Sequence, residues 1–228
     1  EGPRVLGGFH RPPRLAENRL EGLLDRGALI VDSRHAADYG KGYVPRTLNI
    51  PLDRSFNTWA GWLVPYDRDF YLIVNDACTH CVDEAVKDLA MIGLDRVAGY
   101  FGTEVLASWE RHGGSLATVP QISVGELDDE LRNGEVTVID VRGRTEWEAG
   151  HIPGVKNIPV GYLVDHLDEV PRDEPVVLHC QTGARSAIAA SLLRARGFDN
   201  AVNLSGGYQA WDGAGRPTVR EGEPAGAV

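Results

Sequence analysis

Short apolar runs bounded by Gly, Pro and charged residues alternate along this chain with stretches of helical period. The clearest run is Val176-Val177-Leu178, between Pro175 and the pair His179-Cys180, long enough for a buried strand. Behind it, residues 187–196 read as a helix. Ile188 and Leu192 are four apart, as are Ala189 and Leu193, and Gly197 supplies the stop. The same reading predicts strands at 28–31, 71–74, 97–100, 137–141 and 201–204, with short extended segments at 48–51 and 157–160. Helices are predicted over 15–26, over 83–91 with Val82, Val86, Leu89 and Ala90 on one face, and from Val124 onward. There Ser123 and Glu126 have capping-box spacing ahead of the stripe Val124, Leu127, Leu131. Strands alternating with helices predict an α/β fold, a mainly parallel sheet flanked by helices on both faces. Right-handed crossovers then bring the loops that follow the strands to the C-terminal sheet edge, where open α/β sheets bind ligands.

The pattern runs twice. Asp32, Arg34, Gly42, Pro45, Asn49, Ile50 and Pro51 recur as Asp140, Arg142, Gly150, Pro153, Asn157, Ile158 and Pro159, a constant 108 residues later. Farther on, Ala85, Leu89, Gly93 and Asp95 recur as Ala189, Leu193, Gly197 and Asp199 at a spacing of 104. The expectation is two such α/β domains, 1–112 and 121–212, joined by a Gly- and Pro-containing linker at 113–120. Residues 1–14 read as a linker or extended arm, and 213–228 as a loose tail. A length of 228 residues suits that division, and 43% hydrophobic with 25% charged residues suits packed cores.

Charge narrows the partners. A net charge of −10 argues against nucleic acid or an anionic membrane, so any anion site must be a local feature. No apolar run approaches the length of a membrane span, and no secretory signal is visible. Three cysteines, an odd number, suggest no disulfide framework, and a reducing, cytoplasmic setting is the simplest fit.

The candidate chemistry sits at Cys180. A thiol ends a strand, a small-residue loop Gln181-Thr182-Gly183-Ala184 follows, and Arg185 and Ser186 open the helix. Loop amides and a helix N-terminus can point at the sulfur and at an anion bound to it, and Arg185 adds a positive charge. Such a setting favours the thiolate. The sequence Cys180-x-x-Gly183-x-Arg185-Ser186 resembles the active-site loop of the rhodanese family, the thiosulfate sulfurtransferases. Two flanking segments support the likeness. Upstream are Asp140-Val141-Arg142, Glu146-Trp147 and Gly150-His151-Ile152-Pro153-Gly154; downstream is Leu204-Ser205-Gly206-Gly207 with Trp211.

The resemblance implies two tandem rhodanese-like domains and a two-step sulfur transfer. Cys180 as thiolate would take the outer sulfur of thiosulfate or a persulfide such as glutathione persulfide, then pass it to a thiol or protein acceptor. Gln181, Thr182, Gly183, Ala184, Arg185 and Ser186 would bind the anionic donor, with no metal or other cofactor. Two alternatives stand beside this. One is a persulfide carrier or interaction module, since Asp76 to Phe101 resembles the rhodanese parts fused behind metallo-β-lactamase-like domains, which implies a fused domain upstream of Glu1. The other is a cysteine-dependent phosphatase or arsenate reductase, although the four residues between Cys180 and Arg185 are one fewer than in phosphatases of this fold.

At the 104-residue spacing Asp76 stands for Cys180 and Cys81 for Arg185, so the first domain is read as degenerate and non-catalytic. Its Cys78-Thr79-His80-Cys81 is taken first as two plain thiols in a decayed loop, with a redox or sulfur-relay pair and a metal site as the other readings. His179, pointing away from Cys180 by strand alternation, is given a structural role. His151 is expected to pin its turn, Asp140, Arg142 and Glu146 to form an internal ion pair, Trp147 and Tyr39 to lie in the core, and Ser186 to cap the helix or reach the sulfur.

Overall fold

The computed structural model describes residues 11–221 apart from positions 76 and 135, and divides into two compact units, Glu1–Ala117 and Thr118–Val228.

In the first unit, α1 (Arg19–Asp25), β1 (Leu29–Asp32), α2 (Ala36–Lys41), β2 (Leu48–Asn49), α3 (Phe56–Leu63), β3 (Phe70–Val74), α4 (Cys81–Met91), β4 (Val97–Gly102) and α5 (Glu104–Arg111) follow in chain order. The four strands form a parallel sheet in the order β2-β1-β3-β4. The residue Arg14, placed by sequence in an arm, makes a parallel bridge to Tyr100, so the chain enters along the β4 edge. Leu20, Leu23 and Leu24 of α1 pack with Ile30, Ile73, Phe101 and Val105 in one buried cluster. Residues 113–117 also belong to this unit: Tyr43 and Ala117 exchange backbone hydrogen bonds of 3.0 and 2.9 Å.

The second unit repeats the plan. Its elements are β5 (Gln121–Ile122), α6 (Val124–Asn133), β6 (Thr137–Asp140), α7 (Arg144–Ala149), β7 (Lys156–Asn157), a 3-10 segment (Val160–Glu169), β8 (Val176–His179), α8 (Ala184–Ala195), β9 (Ala201–Leu204) and α9 (Gly207–Gly213). The parallel sheet has the order β5-β9-β8-β6-β7. Setting β5 aside, this is the first sheet's order element for element. At the 108-residue spacing, β5 stands where Arg14 bridges to β4 in the first unit.

Ser123 caps α6 through the expected reciprocal box with Glu126, an arrangement that contributes about 1 kcal/mol to a helix. All four residues of β8 are buried, as its unbroken apolar run requires. The helix after it begins at Ala184, three residues earlier than the apolar periodicity indicates, because Gly183 at φ 100° turns the chain directly into it. Past α9 the chain is tied down at two points: Trp211 donates its indole N–H to the Pro217 carbonyl at 2.8 Å, and His151 and Val219 form an antiparallel bridge.

The repeated residues hold the same job in both units. In the first, the Arg34 guanidinium grips both carboxylate oxygens of Asp32 and donates to the Gly42 carbonyl at 3.0 Å. In the second, Arg142 grips Asp140 and donates to the Gly150 carbonyl at 2.7 Å. Asn49 and Asn157 each donate from Nδ2 to the backbone carbonyls of the Asp and the Arg of their respective pair. The buried charges are thus fully hydrogen-bonded, the condition under which ion pairs survive burial.

Candidate active site in the loop after β8

The end of β8 and the start of the twelve-residue α8 fix the position of Cys180. Its thiol is free, and the residue is 1% exposed. The Gly183 N–H donates to Sγ at 3.2 Å. The Ser186 hydroxyl lies 3.6 Å from Sγ and donates to the Gly183 carbonyl at 3.1 Å; it reaches toward the sulfur and does not cap α8. One main-chain N–H, that of Gly183, therefore points at the sulfur beside the N-terminus of α8.

The downstream Gly-Gly turn closes the loop from the other side. The N–H groups of Tyr208 and Gln209 donate to the carbonyls of Cys180 and Gln181 at 2.7 and 3.0 Å. Gly207 sits at φ 59°, and a Cβ there would fall on the Cys180 carbonyl oxygen and within 3.0 Å of the Gln181 carbonyl group. Only glycine allows so close an approach. With the Gly206-Gly207 turn packed against it, the thiol is nearly enclosed.

The charges around the loop pair differently from the sequence reading. Glu146, assigned there to the Arg142 ion pair, binds Arg185 instead, with two parallel contacts of 2.6 and 2.7 Å. Helix α7 places Glu146 facing the first turn of α8, and the planar guanidinium accommodates a carboxylate in this fork. The Arg185 hydrogen bonds hold the Glu146 carboxyl below the usual carboxylate range, and Glu146 in turn raises Arg185. Arg185 is thus a neutralised cation beside the loop, not a bare anchor. Arg142 supplies a second link: it lies 3.3 Å from the Gln181 side-chain oxygen and 4.1 Å from the Tyr208 ring centre. It is 2% exposed, so its charge is carried at the base of the loop within the core.

His179 is fully buried, with Nε2 3.7 Å from an Asp140 oxygen. Burial pushes its pKa down, outweighing the nearby carboxylate. His151 donates from Nδ1 to the Trp147 carbonyl at 2.8 Å and stacks on the Trp147 ring at 3.7 Å. Trp147, expected in the core, is only half-buried, sandwiched between that imidazole and the Arg144 guanidinium. Tyr39 is buried.

Of the loop residues, Gly183 and Ser186 meet the Cys180 sulfur, while Arg185 is held by Glu146. Glu146 and the Gly206-Gly207 turn are the participants that local sequence did not assign to this site. The signal for the second was the Gly-Gly pair itself. No local signal identifies Glu146, whose partner lies 39 residues away.

The corresponding loop of the first unit departs from its first reading. Cys78 and Cys81 are joined in a disulfide and are not two independent thiols. A Cys-x-x-Cys turn at a helix start brings the two sulfurs together whatever the total number of cysteines, which is why the odd count misleads. Asp76 lies outside the described residues. Among the described residues, Cys78, His80 and Cys81 form the one group of candidate metal-ligand atoms within 4.8 Å of one another, but the disulfide occupies both sulfurs. Also among the described residues, no helix is long and apolar enough to cross a membrane.

Comparison with known proteins agrees with this geometry. The rhodanese-like domain family matches residues 123–214. The chain is 36% identical over 110 residues to a human thiosulfate:glutathione sulfurtransferase, covering 42% of this chain and 96% of that one. It is 34% identical over 102 residues to a sulfurtransferase of Allochromatium vinosum, covering 44% of this chain and 95% of that one. It is 42% identical over 88 residues to the uncharacterised protein YqhL of Bacillus subtilis, covering 38% and 70% respectively. A cysteine at a strand-to-helix turn, facing the Gly183 amide and matched over nearly the whole length of two sulfurtransferases, makes this chain a member of the rhodanese-like family.

Proposed function

We propose that the chain is a sulfurtransferase working through a persulfide on Cys180, with thiosulfate or a small persulfide as donor and a low-molecular-weight thiol as acceptor. The observation that carries this reading is the Gly183 N–H aimed at a free Sγ at the start of α8. The thiolate attacks the sulfane sulfur of thiosulfate, the S–S bond breaks, and sulfite leaves with the bonding pair. The thiol acceptor's sulfur then takes the terminal sulfur of the Cys180 persulfide, and the cysteine thiolate is regenerated. Main-chain donors of the Gln181–Ser186 turn stabilise the anionic donor and the persulfide. As the donor anion arrives, it competes with Glu146 for Arg185.

The enclosure of Cys180 supports small donors and acceptors over bulky ones. The name of the human relative, which specifies thiosulfate and glutathione, points the same way. The first unit is read as a second rhodanese-like domain that has lost the nucleophile, on the strength of its matching sheet order and its matching Asp-Arg-Asn network. The reaction needs a compartment that keeps Cys180 reduced, and the cytoplasm is the simplest one.

Mass spectrometry of the intact chain after incubation with thiosulfate tests the reading. The expected result is a gain of one sulfur atom on the Cys180 peptide, lost again on adding glutathione. Release of phosphate from an aryl phosphate without any sulfur gain would replace this reading with a hydrolytic one.

A further inference from the structure

The loop after β3 carries chemistry of its own. We propose that Cys78 and Cys81 form a thiol–disulfide exchange site for low-molecular-weight thiols, separate from Cys180 and independent of sulfur transfer there.

The observations converge on one edge of the first sheet. Cys78 and Cys81 are bonded across a two-residue spacer, both half-buried, where the chain leaves β3 and enters the eleven-residue α4. A structural disulfide has its sulfurs packed away. This one borders a cavity of about 420 Å³ at the C-terminal sheet edge, and Cys81 is part of its wall. Arg34, His35, Asp38, Asn75 and Glu84 complete much of that wall. It offers both signs of charge and several hydrogen-bonding groups, which suits a small thiol that also carries charged groups. His80 places Nε2 3.7 Å from the Cys78 sulfur and 3.8 Å from a Glu84 carboxylate oxygen.

That arrangement assigns the two sulfurs different parts. A small thiolate in the cavity attacks Cys81 Sγ. The Cys78–Cys81 bond breaks, and Cys78 leaves with the bonding pair beside the His80 imidazole, which passes it the proton given up by the incoming thiol. A mixed disulfide now joins Cys81 to the small molecule. A second thiolate attacks the small-molecule sulfur of that bond, releasing the small-molecule disulfide and leaving Cys81 as a thiolate at the start of α4, which takes up the second proton. Two small thiols are each oxidised by one electron and the protein disulfide is reduced by two. The reverse sequence, with a small-molecule disulfide as oxidant, restores the bond.

Reduced and oxidised glutathione are the probes. The full chain is equilibrated over a range of ratios of the two, quenched with acid and alkylated, and the 78–81 peptide is weighed. The expected result is a smooth passage between disulfide and dithiol within that range, with unchanged far-ultraviolet circular dichroism. In Cys78→Ser, Cys81 should gain a glutathione adduct about tenfold faster than Cys78 gains one in Cys81→Ser, and His80→Ala should slow reduction of the intact pair about tenfold. The proposal fails if the pair stays oxidised at every ratio, or opens only as the chain unfolds. It also fails if adducts form on Cys78 at least as fast as on Cys81. Should a serine variant not fold, the titration of the unaltered chain decides by itself. Sulfur gain at Cys180 is read on a different peptide, so failure of either proposal leaves the other standing.

Discussion

The loops after β3 and β8 leave equivalent strands of two sheets with the same strand order, yet they hold sulfur in different ways. After β8, one cysteine stands free against the Gly183 amide. After β3, two cysteines are bonded to each other. Beneath both loops the Asp-Arg pair and the clamping Asn are the same. A network kept where the reactive loop has changed is serving the scaffold. Its job is to tie the end of the first long strand to the following turn, and chemistry is decided by the dozen residues above it. The downstream turn shows the same division. Where the second unit has Gly207, pressed against the Cys180 carbonyl, the first has Thr103 with an ordinary helical backbone. A side chain at that position leaves no room for the tight closure, so the first loop differs in its lid as well as in its cysteines.

The largest expected effect separates the two loops outright. Cys180→Ser should remove thiocyanate formation from thiosulfate and cyanide to below about one part in a thousand, the usual result of losing a nucleophile. Asp76→Ala, at the corresponding position of the first unit, should leave the rate within about twofold. Equal losses from the two changes would sink the assignment of sulfur transfer to the second unit alone.

Next in size is the lid. Gly207→Ala puts a methyl group onto the Cys180 carbonyl and holds an L-residue at positive φ. It should cost about 1–3 kcal/mol of stability in urea unfolding. It should also lower kcat/KM for thiosulfate about ten- to a hundredfold, because the sulfur and its amide donor are displaced together. A variant with full activity would show that the loop holds its geometry without the lid.

A smaller effect is expected at the Arg185–Glu146 fork. Glu146→Gln removes the carboxylate that competes with an anionic donor, and KM for thiosulfate should fall about three- to fivefold, the scale of a part-exposed ion pair. Arg185→Ala should move KM the other way, by about tenfold. A rise in KM in Glu146→Gln would mean that the carboxylate serves to aim Arg185 and does not compete with the donor.

Much of this architecture is legible in the residues. The unbroken run Val176-Val177-Leu178 could only be a buried strand, and the 108-residue recurrence of Asp, Arg, Gly and Asn pointed to the same network twice. Ser123 and Glu126 announced their cap because both partners lie within one turn. What escaped was long-range or three-dimensional. Glu146 is four residues from Arg142 and 39 from Arg185, and sequence distance chose the wrong arginine. Short helices such as α7 have no apolar stripe to betray them: none of its residues is buried. The enclosure of Cys180 depends on a turn contributed 27 residues later in the chain, which the sequence of the loop itself cannot express.

The smallest predicted effect concerns the residue before the nucleophile. His179 stands where the first unit has Asn75, which is exposed and holds its own turn through the Ala77 N–H. In the second unit the imidazole is fully buried, 3.7 Å from Asp140 with the charges of Asp140, Arg142 and His151 acting on it, and burial keeps its pKa below the ordinary value of about 6.5. A group less basic when folded than when unfolded stabilises the fold fully above the unfolded value. As pH falls below about 6.5 the unfolded chain takes up a proton that the native one refuses, so stability declines until the folded pKa is reached. One such group contributes at most about 1.4 kcal/mol per pH unit across that window. Replacing it with the first unit's residue, His179→Asn, removes the titration. Urea unfolding of the second unit between pH 7 and 5 should then fall less steeply in the variant than in the unaltered chain, whatever the offset between them at neutral pH. Parallel slopes would mean that His179 protonates equally in both states, and the histidine would have to be in contact with water despite its place in the sheet.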